Sequence, residues 1–236
     1  MRRPPTRGAR AALAAAAACA TAGAWLVHDG TRTQAPPVPA AADARPAAAA
    51  AADRPTSAAA ARAAAGTPAA MPFSLPTRLR IPAIGVDAPV TGVGLDTRGG
   101  LQLPPEADRN LAGWYRLGAA PGSAGNALLV GHVDTDRGRA VFWSLGSLHR
   151  GNTLDVLRAD GSTARFAVDA VEVLPKDGFP DDRVYGATAR PELRVITCGG
   201  GYTRATGYLG NVVVYAHLVQ ALRRPVRSLR PVLPQG

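Results

Sequence analysis

Between about Pro72 and Leu222 the chain has no sustained amphipathic helix, only short β-like runs separated by turn signals, and this excludes most α and α/β folds. The stretch NTLDVLRADGSTARFAVDAVEVLP (Asn152–Pro175) alternates apolar and polar residues on both sides of Asp160-Gly161, the pattern of a β-hairpin. LRIPAIGVDAPV (Leu79–Val90) reads as two strands joined at Gly85, with Pro82 confining the first to an edge or a strand start. NALLVGHV (Asn126–Val133) is a continuous apolar run suited to a core strand. GWYRL, ELRVIT and NVVVYAHLV add further strands, and LQLP at Leu101 is short and extended. FWSLGSL (Phe142–Leu148) has helical spacing but is short. About eight strands with two or three short helices predict a mainly β protein, a closed or nearly closed barrel of one domain.

The flanks are different in kind. MRRPPTRGAR holds four arginines and no acid, and Ala11–Val27 follows with seventeen uncharged residues. A basic flank before an apolar run is the pattern of an export signal or signal anchor. The charge asymmetry assigns residues 1–10 to the cytoplasm and everything after the run to the outside. A transmembrane signal anchor over residues 11–27 is preferred to a cleaved signal, with Trp25 at its outer interface; AAAC at Ala16–Cys19 makes a poor lipoprotein site. Residues 28–70 are mostly Ala and Pro with almost no large apolar side chain, which predicts a disordered spacer stiffened by prolines. The globular domain is placed at residues 71–222 and a basic tail at residues 223–236.

Charge narrows the function. The chain carries a formal net charge of +10, but Pro72–Leu222 holds 15 basic and 14 acidic residues. The excess therefore lies in the tails, whereas a nucleic-acid protein carries it on the folded domain. The tails suit an anionic membrane or wall surface.

The chain has two cysteines, Cys19 in the apolar run and Cys198 in VITCGGGY. Structural cysteines outside the membrane come in disulfide pairs, so a solitary Cys198 in an exported domain points to reactivity. It ends an apolar run and precedes Gly199-Gly200-Gly201, where a side chain leaves the sheet and glycines let a substrate backbone approach. A thiol attacks as thiolate and needs a base or a cation. Of the domain's three histidines, His149 lies in the polar turn LHRGN and His217 within the last strand. His132 ends an apolar strand at the mouth of a loop, as Cys198 does, and is the best acid/base candidate. An oxyanion donor is needed as well, and arginine supplies a permanent charge. Arg204 in GGGYTRATG and Arg194 on the strand of Cys198 both qualify; residue type does not separate them, and sequence position favours Arg204 only weakly.

LLVGHVDT, RAVFWSLGSLHRGNTLDV and LRVITCGGGYTRATGYLGNVVVYAHL together resemble the sortases, most closely actinobacterial class F, over about Leu79–Leu218. The resemblance implies an eight-stranded sortase-type β-barrel and a membrane-tethered cysteine transpeptidase acting on surface proteins. It implies Cys198 as nucleophile, His132 as the histidine that protonates the leaving amine, and Arg204 near the oxyanion. The residue thirteen after Cys198, where many sortases carry that arginine, is Asn211, which then lines the groove and binds substrate. The implied substrate is an LPXTG-like sorting signal cut between Thr and Gly, with transfer to a peptidoglycan-precursor amine. No cofactor, metal or nucleic acid is implied, and the expected state is a monomer. DTDRG and DGFPDD lack a calcium-loop ligand pattern and read as solvated loops. An L,D-transpeptidase would carry Ser-His-Gly before the thiol, where this chain has Val195-Ile196-Thr197. An inactive sortase-like scaffold would have lost Cys, His or Arg, and all three are present. A chain beginning near Met71 is expected to be soluble and active, because leader and spacer hold no catalytic residue; aggregation or inertness of that chain in a peptide-cleavage assay would move the boundary.

Overall fold

The computed structural model describes residues 35–45, 68–97 and 99–223. The expected cytoplasmic segment, the anchor and nearly all of the basic tail lie outside the described residues. Among the described residues no helix is long and apolar enough to cross a membrane.

Eight strands close into a barrel. They are β1 (Pro76–Ile81), β2 (Val86–Val93), β3 (Ala112–Tyr115), β4 (Asn126–Val130), β7 (Thr153–Arg158), β8 (Thr163–Pro175), β9 (Glu192–Thr203) and β10 (Gly207–Leu222). The order around the barrel is β1-β2-β3-β4-β9-β10-β8-β7, with β7 pairing back onto β1. A two-stranded ribbon, β5 (Asp134–Thr135) and β6 (Gly138–Arg139), follows β4. Local chemistry makes the hairpins. Gly85 turns β1 into β2 at φ 67° after a single 3-10 turn, and Gly161 turns β7 into β8 at φ 78°, conformations that glycine adopts without a Cβ clash. Pro82 falls just beyond the end of β1, so β1 can pair on both sides without needing its N–H. Two neighbour pairs are parallel, β2–β3 and β4–β9, and both need long crossovers.

Alternation sorts the side chains into two layers. Leu154, Val156, Ala164, Phe166, Val195, Val214 and Leu218 face the barrel interior with Leu79 and Leu129. The opposite alternation of β4, β8, β9 and β10 forms a second cluster of Val130, Ala170, Leu174, Ile196, Val213 and Tyr215, capped by Val184 of the short helix α1 (Asp181–Tyr185). Each fully buried Leu or Phe contributes about 1.5–3 kcal/mol relative to exposure. FWSLGSL supplies one 3-10 turn, Leu145–Ser147, which seats Phe142, Leu145 and Leu148 without exposure.

The expected disordered spacer is corrected over residues 36–45, which dock on the barrel. Asp43, 7 % exposed, accepts from the Arg150 N–H at 2.9 Å and pairs with His149 Nδ1 at 2.6 Å. The Arg45 N–H donates to Glu172 at 3.0 Å, and its guanidinium lies 4.4 Å from the Tyr215 ring centroid. The Pro37 carbonyl occupies the space a side chain at residue 146 would fill, so Gly146 admits the strap. Composition missed this because the strap is held by polar anchors and backbone contact rather than by buried apolar area. Asp43→Ala is expected to free the strap, read as faster elastase cleavage at its alanines. The Arg150 N–H, then His149, holds the Asp43 carboxyl below the usual carboxylate range. Its contribution to docking is therefore complete above about pH 4 and lost as pH falls through the lowered value.

Candidate active site

The site is built by strand pairing. β4 and β9 run parallel with Val130 beside Ile196. The pairing continues past the end of β4, where the Gly131 N–H donates to the Ile196 carbonyl at 3.3 Å and the Thr197 hydroxyl to the Gly131 carbonyl at 2.8 Å. The next residues along the two parallel segments are His132 and Cys198. On the other side of β9, Asn211 of β10 is the cross-strand partner of Cys198, and Leu174 of β8 that of Asn211. Cys198 and Asn211 thus form a row across β9 and β10 on the face of Ile196 and Val213, and His132 follows Gly131, one residue past the last contact between β4 and β9.

His132 is braced from three directions. Its carbonyl accepts from the Phe142 N–H at 3.0 Å, and Gly131 before it packs where a Cβ would strike Phe142 and Val141. Its Nε2 lies 2.8 Å from the Pro104 carbonyl. A carbonyl only accepts, so Nε2 carries a proton and Nδ1 is the atom that gains or loses one.

Cys198 is a free, half-buried thiol. Burial pushes it above the ordinary thiol range; Lys176 opposes that shift and Asp134 adds to it. Lys176 is the one lysine of a chain with 26 arginines, and it stands just past β8, its N–H donating to the Leu209 carbonyl of β10 at 3.2 Å. Among the described residues no group of three His, Cys, Asp or Glu side chains is placed to hold a metal ion.

The glycines after Cys198 serve the sheet. Gly199 pairs with Gly210 and Tyr202 with Tyr208, so Gly200 and Gly201 together oppose Leu209 in a β-bulge, both at positive φ (76° and 91°). A Cβ on Gly199 or Gly200 would come within 2.6 Å of Val212 or Val173. These glycines thus have a local reason as well: the strand bulges at Gly200–Gly201, and Gly199 and Gly200 pack too tightly for side chains. Beyond the bulge, the structure does not bring Arg204 into the row. Arg204 is exposed in the turn between Thr203 and Gly207, the last paired residues of the hairpin. Arg194 is 4 % exposed, bound to Glu192 at 2.7 Å and stacked 4.7 Å from the Tyr215 ring centroid. His217 binds Asp169 at 2.7 Å and His149 binds the strap.

Three contributors escaped the sequence reading: Pro104, Lys176 and the pair Asp134–Tyr208. The Tyr208 hydroxyl donates to the Asp134 carboxylate at 2.6 Å, and its ring meets Tyr202 edge-on at 5.1 Å between centroids. A solitary lysine among arginines was a visible signal; the reach of the Pro104 carbonyl was not. Beside Pro104 an open cavity of about 640 Å³ is lined by Thr91, Val93, Leu101, Gln102, Leu103 and Pro105.

A sortase domain matches residues 79–219, most of the barrel, and the chain belongs to the sortase family. Solved structures with similar folds include sortase A from Corynebacterium diphtheriae (19% identity, TM-score 0.47, 62% of this chain and 61% of that one). The chain thus spans less than two thirds of that relative. Sortase A from Listeria monocytogenes is similar at 16% identity and TM-score 0.49, over 64% of this chain and 92% of that one. Sortase C-1 from Actinomyces oris is similar at 21% and 0.46, over 61% and 73%. The comparison with curated proteins finds no match. The raised thiol predicts that iodoacetamide alkylates Cys198 with a pH midpoint above that of free cysteine, about 8.5; peptide mass spectrometry separates it from Cys19, and a midpoint below that value would contradict the described surroundings.

Proposed function

We propose that this chain is a membrane-anchored cysteine transpeptidase of the class F kind, with its barrel on the outer side of the cell membrane and residues 11–27 as a single span. The pairing of Cys198 with Asn211, beside the parallel β4–β9 contact after which His132 follows, is the observation that supports it. In this reading the Cys198 thiolate attacks the carbonyl carbon of the threonine in an LPXTG-like signal. The Asn211 side-chain amide donates to the resulting oxyanion. Collapse breaks the C–N bond to glycine, and His132 gives the proton from Nδ1 to the departing amine. The thioester is then attacked by an amine of a cell-wall precursor. That amine's proton returns to His132 and the thiolate leaves, restoring the site. The cavity beside Pro104 offers apolar walls to the leucine and proline of the signal.

An exposed Arg204 is left to contact substrate from the hairpin tip rather than to hold the oxyanion, which reverses the weight given to the two residues by the sequence. The test is cleavage of an LPXTG-type peptide with an added amine, followed by mass spectrometry. Cys198→Ala is expected to abolish the acyl-enzyme and both products. His132→Ala should lower kcat/KM by about 10²–10⁴-fold. Asn211→Ala should cost about 10²-fold, the scale of one oxyanion donor, and Arg204→Ala less than that. A larger loss for Arg204→Ala would return the oxyanion to the arginine, and an intact peptide with the parent chain would leave an inactive scaffold.

A further inference from the structure

The Asp134–Tyr208 hydrogen bond joins the two chain segments that carry the candidate chemistry. Asp134 stands two residues after His132, at the start of β5, and Tyr208 three residues before Asn211, on β10. The bond is 2.6 Å long, and a phenol donating to a carboxylate is a charge-assisted contact. Both groups lie near enough to Cys198 to interact with it electrostatically. The hairpin needs such a tie. It bulges at Gly200–Gly201 directly after the thiol, turns through a further positive-φ residue at Gly207, and presents Tyr202, 60 % exposed, and Leu209, 50 % exposed, to solvent. Of its other contacts, Thr203–Thr206 and Tyr202–Tyr208 stay within the hairpin, and the Lys176 N–H holds Leu209 to β8. Asp134–Tyr208 is the side-chain bond described here that crosses from the hairpin to the His132 loop.

We infer that Asp134 and Tyr208 are positioning residues, a latch that holds the bulged end of the β9–β10 hairpin against the His132 loop and so fixes the separation of imidazole and thiol. This rests on the transpeptidase reading of the site. Rate in such a site depends on placement to within a fraction of an ångström, whereas ground-state binding of an extended peptide depends on it less. The latch therefore acts on kcat more than on KM.

The experiment compares the full chain with Tyr208→Phe, Asp134→Ala and the double variant. Two measurements are made: steady-state transpeptidation of an LPXTG-type peptide, and amide hydrogen exchange over residues 199–210. Tyr208→Phe keeps the ring contact with Tyr202 and removes only the hydroxyl. Each single variant is expected to lower kcat roughly tenfold, about what one charge-assisted hydrogen bond supplies, with KM within about twofold of the parent. The double variant should fall no further than the singles, since all three lack the same bond. Exchange over residues 199–210 should rise equally in all three. Parental kcat and exchange in Tyr208→Phe would overturn the latch, as would losses that multiply in the double variant. If the parent chain turns over no peptide, the transpeptidase reading fails, and exchange alone decides: an equal rise in the three variants supports the latch and no rise removes it.

Discussion

The parallel contact between β4 and β9 is the constraint on which the site depends. The two strands are 61 residues apart in the chain, from Val130 to Glu192, and neither has a local reason to lie beside the other. Closure of the barrel decides it, because a closed sheet leaves no free edge and fixes stagger all the way round. Register then matters at the level of a single residue. A slip by one would turn His132 or Cys198 to the barrel interior and leave the other outside. The Thr197 hydroxyl on the Gly131 carbonyl, with Thr197 buried at 3 % exposure, fastens the register one residue before His132 and Cys198.

Around this contact the site balances opposing effects. Burial disfavours the thiolate, Asp134 disfavours it further, and Lys176 works against both. A thiol held neutral is less open to adventitious electrophiles. The Pro104 carbonyl contributes by deciding which imidazole nitrogen is available. These features are compatible with acyl transfer.

Much of the fold was legible because strand periodicity and turn chemistry are local. The Asp160-Gly161 hairpin, the Gly85 turn and the apolar β4 run all form where their patterns put them. His132 and Cys198 stood out because both end apolar runs; folding leaves His132 just past the end of β4, whereas β9 continues through Cys198 to Thr203, so Cys198 is a mid-strand residue rather than a strand end. The remainder depended on non-local geometry. Asn211 faces Cys198 only through the β9–β10 register, which a bulge at Gly200–Gly201 offsets by one residue. Arg204 carried weight through the resemblance, and the structure places it in the exposed turn of the β9–β10 hairpin. The strap at residues 36–45 was illegible for a different reason. Low hydrophobicity argues against an independent core, and it says nothing about a segment that borrows a surface already built, with Asp43 and Arg45 as its fasteners.

The lone lysine has a practical side. Every other side-chain cation in the chain is a guanidinium, which ordinary acylating reagents ignore, so activated esters would find two amines in the whole molecule, the chain's α-amino group and the Lys176 ε-amine. A fluorophore or crosslinker installed by such chemistry would sit just past the end of β8, within electrostatic reach of the thiol, without a single engineered residue.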